Sequence, residues 1–183
     1  MEIFASLVPW SAPVSLVAVP LVRASYRKEI PPLQAGIKYV HTNLVARDWK
    51  KLSTSYVKVF GCKFKPPERN LKGNWLDELT SLKNAQVKGI HLHLPGFDGS
   101  GPTLEIFQYS KSTKQGAAKI NRPGFAHIAF AVRNVKQMLG KVKTNGGSSV
   151  GKLVSTTIEG VGRIDVVYAR DPEGNIIELQ KWE

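Results

Sequence analysis

A chain of 183 residues, 42% of them hydrophobic, can bury one ordinary globular core or two small fused modules. Its single cysteine, Cys62, excludes an intrachain disulfide framework and a cysteine-rich zinc site. The formal charge of +12 favours anionic partners, but the basic residues are scattered, without the compact tract or motif of a nucleic-acid binder.

Residues Ile3 to Val22 carry no charge. Pro9, Pro13 and Pro20 make this stretch a poor membrane helix, so no stable membrane span is expected. "VSLVAVPLV" has the length of a signal-peptide apolar region, and Val22-Arg23-Ala24 fits a cleavage site near Ala24. Against export, Glu2 follows Met1 and no lysine or arginine precedes the apolar run. Residues 1–35 are therefore expected to be an N-terminal extension ending in a Pro31-Pro32 linker, and a cytoplasmic location is preferred to export.

From Gly36 the pattern becomes regular. "IKYVHTNLV" alternates like a strand. "RDWKKLSTSYVKVFG" places Trp49, Leu52, Tyr56 and Val59 at helical spacing, and Gly61 ends the helix. "CKFK" reads as a short strand before a loop, "PPERNLKGN". "KGIHLHLP" and "PTLEIFQYS" are further strands around the turn-rich "GFDGSG".

The second half repeats this order. "GFAHIAFAV" is a strand, and "NVKQMLGKVKTNGG" is a helix capped by Asn134. "SSVGKLVST", "RIDVVYARD" and "NIIELQKWE" are strands, the last two joined by the turn "DPEGN". His41 and His127 each lie in an opening strand, equally far ahead of Gly61 and Gly147. Glu105 and Glu178 each lie in a closing strand. The expected fold is α+β: two β-α-β-β-β modules, the first over 36–115 and the second over 122–183.

Alternation along a strand sets His127 on one face with Phe125, Ala129 and Ala131, small neighbours that leave space. A lone histidine on an apolar strand is usually structural, and a lone glutamate on a closing strand is usually solvated. The joint pattern is different. Two carboxylates on mostly apolar strands would be costly to bury unpaired. Two imidazoles related to them by a repeat point to one divalent cation held by His41, Glu105, His127 and Glu178. Ni, Zn, Co, Fe and Mn all suit such donors. His91 and His93 share a strand face but lack a counterpart in the second half, and are read as structural or pocket-lining.

The motifs "YVHTNLVARDW", "VFGCKF", "GPTLEIFQY", "NRPGFAHIAFAV" and "YARDPEGNIIELQ" together resemble the vicinal oxygen chelate superfamily over almost all of 36–183. That family includes glyoxalase I, methylmalonyl-CoA epimerase, extradiol dioxygenases, fosfomycin-resistance transferases and bleomycin-resistance proteins. "PPERNLKGNWLDELT" adds a looser similarity to cyclitol epimerases and glyoxalase-like lyases. The resemblance implies two modules forming an open cupped sheet around a metal, with ligands on the first and last strands of each module. These positions are His41, Glu105, His127 and Glu178. It implies a metal-dependent isomerase, epimerase or lyase that acts on a small vicinal-oxygen substrate through a metal-stabilised enolate. Glu105 or Glu178 would be the catalytic base, with Glu105 preferred and Glu178 as the fixed ligand. The charge suits a small anionic metabolite. The family pairs its modules within one chain or between two, and a homodimer is preferred here.

Two other functions have different requirements. A non-haem iron extradiol dioxygenase would use His41 or a neighbouring histidine, His127 and Glu178, but the extra Glu105 would take the position that dioxygen needs. A non-catalytic resistance-type protein needs no metal ligands, and a +12 chain has the wrong sign for its cationic drug.

Overall fold

The structure, a computed structural model, describes residues 36–183 except Gln115 and Ala117. The expectations for the N-terminal extension, its linker and a cleavage near Ala24 fall outside the described residues. Lys38–Glu183 forms a compact unit.

Module one runs β1 (His41–Val45), α1 (Trp49–Phe60), β2 (Lys63–Lys72), α2 (Asn74–Thr80), β3 (Gln86–His93) and β4 (Thr103–Tyr109). Module two runs β5 (His127–Ala131), α3 (Val135–Thr144), β6 (Ser148–Ser149), β7 (Val154–Ile158), β8 (Gly162–Arg170) and β9 (Ile176–Trp182). The α+β architecture with two sheets is the expected one, and it agrees with a cupped-sheet fold built from β-α-β-β-β modules. Each long helix starts on a side-chain cap. Asp48 accepts from the Lys51 amide at 3.0 Å and Asn134 from the Gln137 amide at 2.8 Å, satisfying amides that the helix leaves free. Gly61, at φ 73°, closes α1 in the left-handed conformation that glycine tolerates best.

Two segments differ from the expectation. "PPERNLKGN" is not a loop after a short strand. β2 continues through it and pairs with β3 on both sides of a register shift between Lys65 and Arg69. The shift falls at Pro66-Pro67, which have no amide to donate to the ladder and are tolerated because β2 is an edge strand. The α2 helix that follows was not expected. It is short, and only Leu76 on it is buried. Asp77 fixes its exit by accepting from the amides of Asn84 and Ala85 at 2.7 and 2.8 Å. In module two, "SSVGKLVST" divides into β6 and β7 around Gly151.

The sheets have the orders β1-β4-β3-β2 and β5-β9-β8-β6, with β7 also on β8. In each, the first strand lies parallel to the last, while the other pairings are antiparallel. This topology brings the opening histidine and the closing glutamate of a module onto neighbouring strands.

The core joins the modules. Leu52, Tyr56 and Val59 of α1 cluster with Leu92, Leu104 and Ile106 of the first sheet and with Val142, Val167, Ile177 and Leu179 of the second module. The Phe60 and Phe130 rings stack at 4.2 Å. Polar contacts follow the same seam. The buried Tyr56 hydroxyl donates to Asp171 at 3.2 Å. Glu173 accepts from the Arg47 and Asp48 amides at 3.0 and 3.1 Å and pairs with the Arg47 guanidinium at 2.7 Å. The histidine-bearing face of each sheet is the one turned away from this core.

Candidate metal centre

Register determines which side chains share a face. On the first sheet Asn43 lies beside Glu105, and Glu105 lies opposite His91. His41, Asn43, Glu105, His91 and Lys65 therefore project on one side. Asn43, His41 and His91 converge on the Glu105 carboxylate, whose side chain is only 12% exposed. The Asn43 amide donates to one carboxylate oxygen at 2.7 Å. His91 Nε2 reaches the other at 2.9 Å, and His41 Nε2 lies 3.5 Å away. One ligand atom from each of His41, His91 and Glu105 falls within 4.8 Å of the other two.

This donor set fits a divalent ion. Two imidazole nitrogens and a carboxylate oxygen, with no thiolate, suit the borderline first-row metals. His91 Nδ1 shares a 2.9 Å hydrogen bond with the Thr103 hydroxyl, which directs Nε2 towards the cluster as an outer partner does for a metal-binding imidazole. Burial lowers the His91 pKa from its ordinary value. The Glu105 charge opposes this, while Arg69, His41 and Lys65 add to the lowering. The neutral ring, the form that can ligate, is thereby favoured.

The second sheet carries the matching arrangement with other residues. His127 Nε2 lies 3.1 Å from a Glu178 oxygen. Tyr168 takes the place of His91, directly opposite the glutamate, and Ala129 takes the place of Asn43. The Tyr168 phenol stands opposite Glu178 in the ladder, and its pKa is raised first by burial and then by the Glu178 charge. His127 Nδ1 is buried and has no hydrogen-bond partner among the described residues. A ring that donates from Nε2 to Glu178 leaves only a lone pair there, not a stranded N–H. His127 and Glu178 stand outside the cluster of three.

Each sequence-predicted histidine thus meets the glutamate of its own module, and the two pairs form separate groups within the chain. The sequence pattern gives His91 a structural or pocket-lining place; the structure puts it in the cluster and leaves His93 outside. Its counterpart is a tyrosine, so a search for repeated histidines passes over it. The signal that finds it is strand register. A cavity of about 440 Å³ lies elsewhere, between α1 and β2, lined by Trp49, Lys50, Glu68, Arg69, Asn70, Lys88 and Gln108. It contains none of these ligands.

Residues 38–179 match the family model of the Glyoxalase/Bleomycin resistance protein/Dioxygenase superfamily. Among solved structures, a glyoxalase family protein from Bacillus cereus superposes with a TM-score of 0.66 at 20% identity, over 80% of this chain and 94% of that one. A glyoxalase I variant from Zea mays superposes with a TM-score of 0.55 at 21% identity, over 78% of this chain and 44% of that one. At these identities the likeness is one of fold. No curated protein matches the chain.

Proposed function

Because the chain belongs to the Glyoxalase/Bleomycin resistance protein/Dioxygenase superfamily, we propose that it is a divalent-metal-dependent isomerase, epimerase or glyoxalase-like lyase acting on a small vicinal-oxygen substrate. The observation that carries this reading is the convergence of His41, His91 and Glu105 within 4.8 Å. A divalent ion held by His41, His91 and Glu105 would supply Lewis-acid polarisation of substrate oxygens.

The protein's own groups then divide the work. Glu105 is clamped by Asn43 and His91 and flanked by His41, which suits a fixed ligand. Glu178 has one imidazole and one phenol as partners and an alanine on its β5 side. It is the freer carboxylate and serves as the base, taking a C–H proton on one oxygen and returning it to the other face or to a neighbouring atom. Tyr168 and His127 orient it. This reverses the preference for Glu105 drawn from the sequence.

For Glu178 to act at the cluster, the faces of the two modules must meet. A homodimer accomplishes this if the His127–Glu178 pair of one copy faces the His41–His91–Glu105 cluster of the other. Three observations support it. The pairs are separate within the chain. His41 and His127 lie on edge strands with side chains 39% and 29% exposed. Val45, Val154, Ile158 and Trp182 are exposed on the same faces.

The test is metal content and assembly mass of the purified protein, followed by solvent-deuterium wash-in with hydroxy-ketones. Bound metal with deuterium exchange supports the reading, and absence of divalent metal at micromolar concentration removes it. Co-expressed His41→Ala and Glu178→Ala copies should regain part of the exchange that each lacks alone, since one shared site stays intact. A monomer, or copies that fail to complement, would sink the dimer. A second reading has its own support: two histidines and one carboxylate also form the set used by non-haem iron dioxygenases. Iron(II) dependence with catechol ring cleavage, visible by absorbance, would select it.

A further inference from the structure

The face of the first sheet that carries the candidate ligands does not end at His91. The next strand outward, β2, places Lys65 beside His91 and Arg69 beside Gly89. Cross-strand partners project on the same face, so both cations stand next to the ligand cluster. Neither forms an ion pair among the described residues. Arg69 is positioned by a 3.0 Å hydrogen bond from Nη1 to the Pro67 carbonyl, which leaves other guanidinium donors available. On the same face the Phe107 ring lies over Gly89, the partner of Arg69, and edge-on to His91 at 6.3 Å.

We propose that Lys65 and Arg69 form a subsite for a carboxylate or phosphate substituent of the substrate, whose adjacent oxygens lie over His41, His91 and Glu105. The proposal rests on the reading of that cluster as the reaction centre, and it names the substrate class: a small vicinal-oxygen molecule carrying a fixed anionic group a few bonds away. The spacing follows from the sheet. Neighbouring strands stand about 4.8 Å apart, so Lys65 begins one strand beyond His91 and two beyond Glu105, and its side chain can lean back over the gap. A guanidinium fork and an ammonium are the donors that bind such oxyanions best. Phe107 gives the intervening carbon atoms an apolar floor. Glu68, the nearest acidic neighbour in sequence, falls within the register shift between Lys65 and Arg69, and the place opposite His91 is taken by Lys65.

Two measurements test this independently. In the metal-free, full-length, ¹⁵N-labelled protein, inorganic phosphate should shift the Gly89 and His91 amides saturably. Lys65→Gln/Arg69→Gln should abolish that shift, and Lys88→Gln, on the opposite face of the sheet, should not. Acetate in place of phosphate tells which anion the subsite prefers. In the cobalt(II)-loaded protein, the carboxylate-bearing chelator succinate monohydroxamate should bind about tenfold more tightly than neutral acetohydroxamate. The double variant should lose this preference while keeping its affinity for cobalt and for acetohydroxamate. Lys65→Gln alone, a change at an exposed position, should lose part of it. No phosphate shift at these amides, or a preference that survives in the double variant, overturns the subsite. Failure to bind cobalt removes the metal reading instead, and the phosphate titration still decides the subsite.

Discussion

Glu105 and Glu178 hold equivalent positions in the two sheets, but their neighbours differ. Asn43 and His91 surround the first, Ala129 and Tyr168 the second. The repeat made the two His–Glu pairs legible in the sequence because both members are conserved in kind between the halves. It could not reveal His91, because the exchange with tyrosine hides the correspondence. His91→Ala should therefore weaken cobalt or zinc binding by more than the roughly 10–100-fold that loss of an outer partner costs, as measured by competition with a chelator. A second expectation concerns pH. Burial holds the folded-state pKa of His91 below its ordinary 6.5, so near and below that pH the unfolded chain binds more protons at this residue than the native chain does. Its contribution to stability is full above 6.5 and declines as pH falls through that value. Urea midpoints of the metal-free protein measured across this range should fall less steeply for His91→Gln than for wild type.

At the scale of elements, caps and periodicity identified both long helices, and alternation identified most strands. Those signals are local and do not depend on what the segment later touches. β2 is different. Two prolines and five charged residues in Lys63–Lys72 read as a loop until β3 supplies hydrogen-bond partners on either side of the Pro66-Pro67 interruption. The β3–β4 contact depends on Gly89. A Cβ there would lie 2.1 Å from the Ile106 carbonyl oxygen and 2.5 Å from the Phe107 ring. The backbone oxygen cannot yield without separating the strand that carries His91 from the one that carries Glu105. Gly89→Ala should destabilise the protein by about 1–3 kcal/mol in urea unfolding and weaken metal binding with it. Asn134→Ala, which removes the α3 cap, should cost about 1 kcal/mol and leave metal binding unchanged.

Over the whole molecule, the modules share one core and fasten to each other through Tyr56–Asp171 and Arg47–Glu173. Asp171 is buried, which raises its pKa, and donors from Asn175, Glu173 and Tyr56 oppose the rise. Tyr56→Phe removes a hydrogen bond to this buried carboxyl and should cost about 1.5–3 kcal/mol if the group is ionised, read from the urea midpoint at neutral pH. The sequence by itself determined the two-module α+β plan, the strand and helix that open each half, and the placing of His41 and His127 in opening strands and of Glu105 and Glu178 in closing strands. All of these follow from local periodicity and a repeat, which are written along the chain. Only the tertiary structure decided that His91 completes the first group, that Tyr168 takes its place in the second, and that Lys65 and Arg69 share the face of the ligands. Those relations come from strand order and register, which are fixed by hydrogen bonds between distant segments and by the common core that holds the sheets in place.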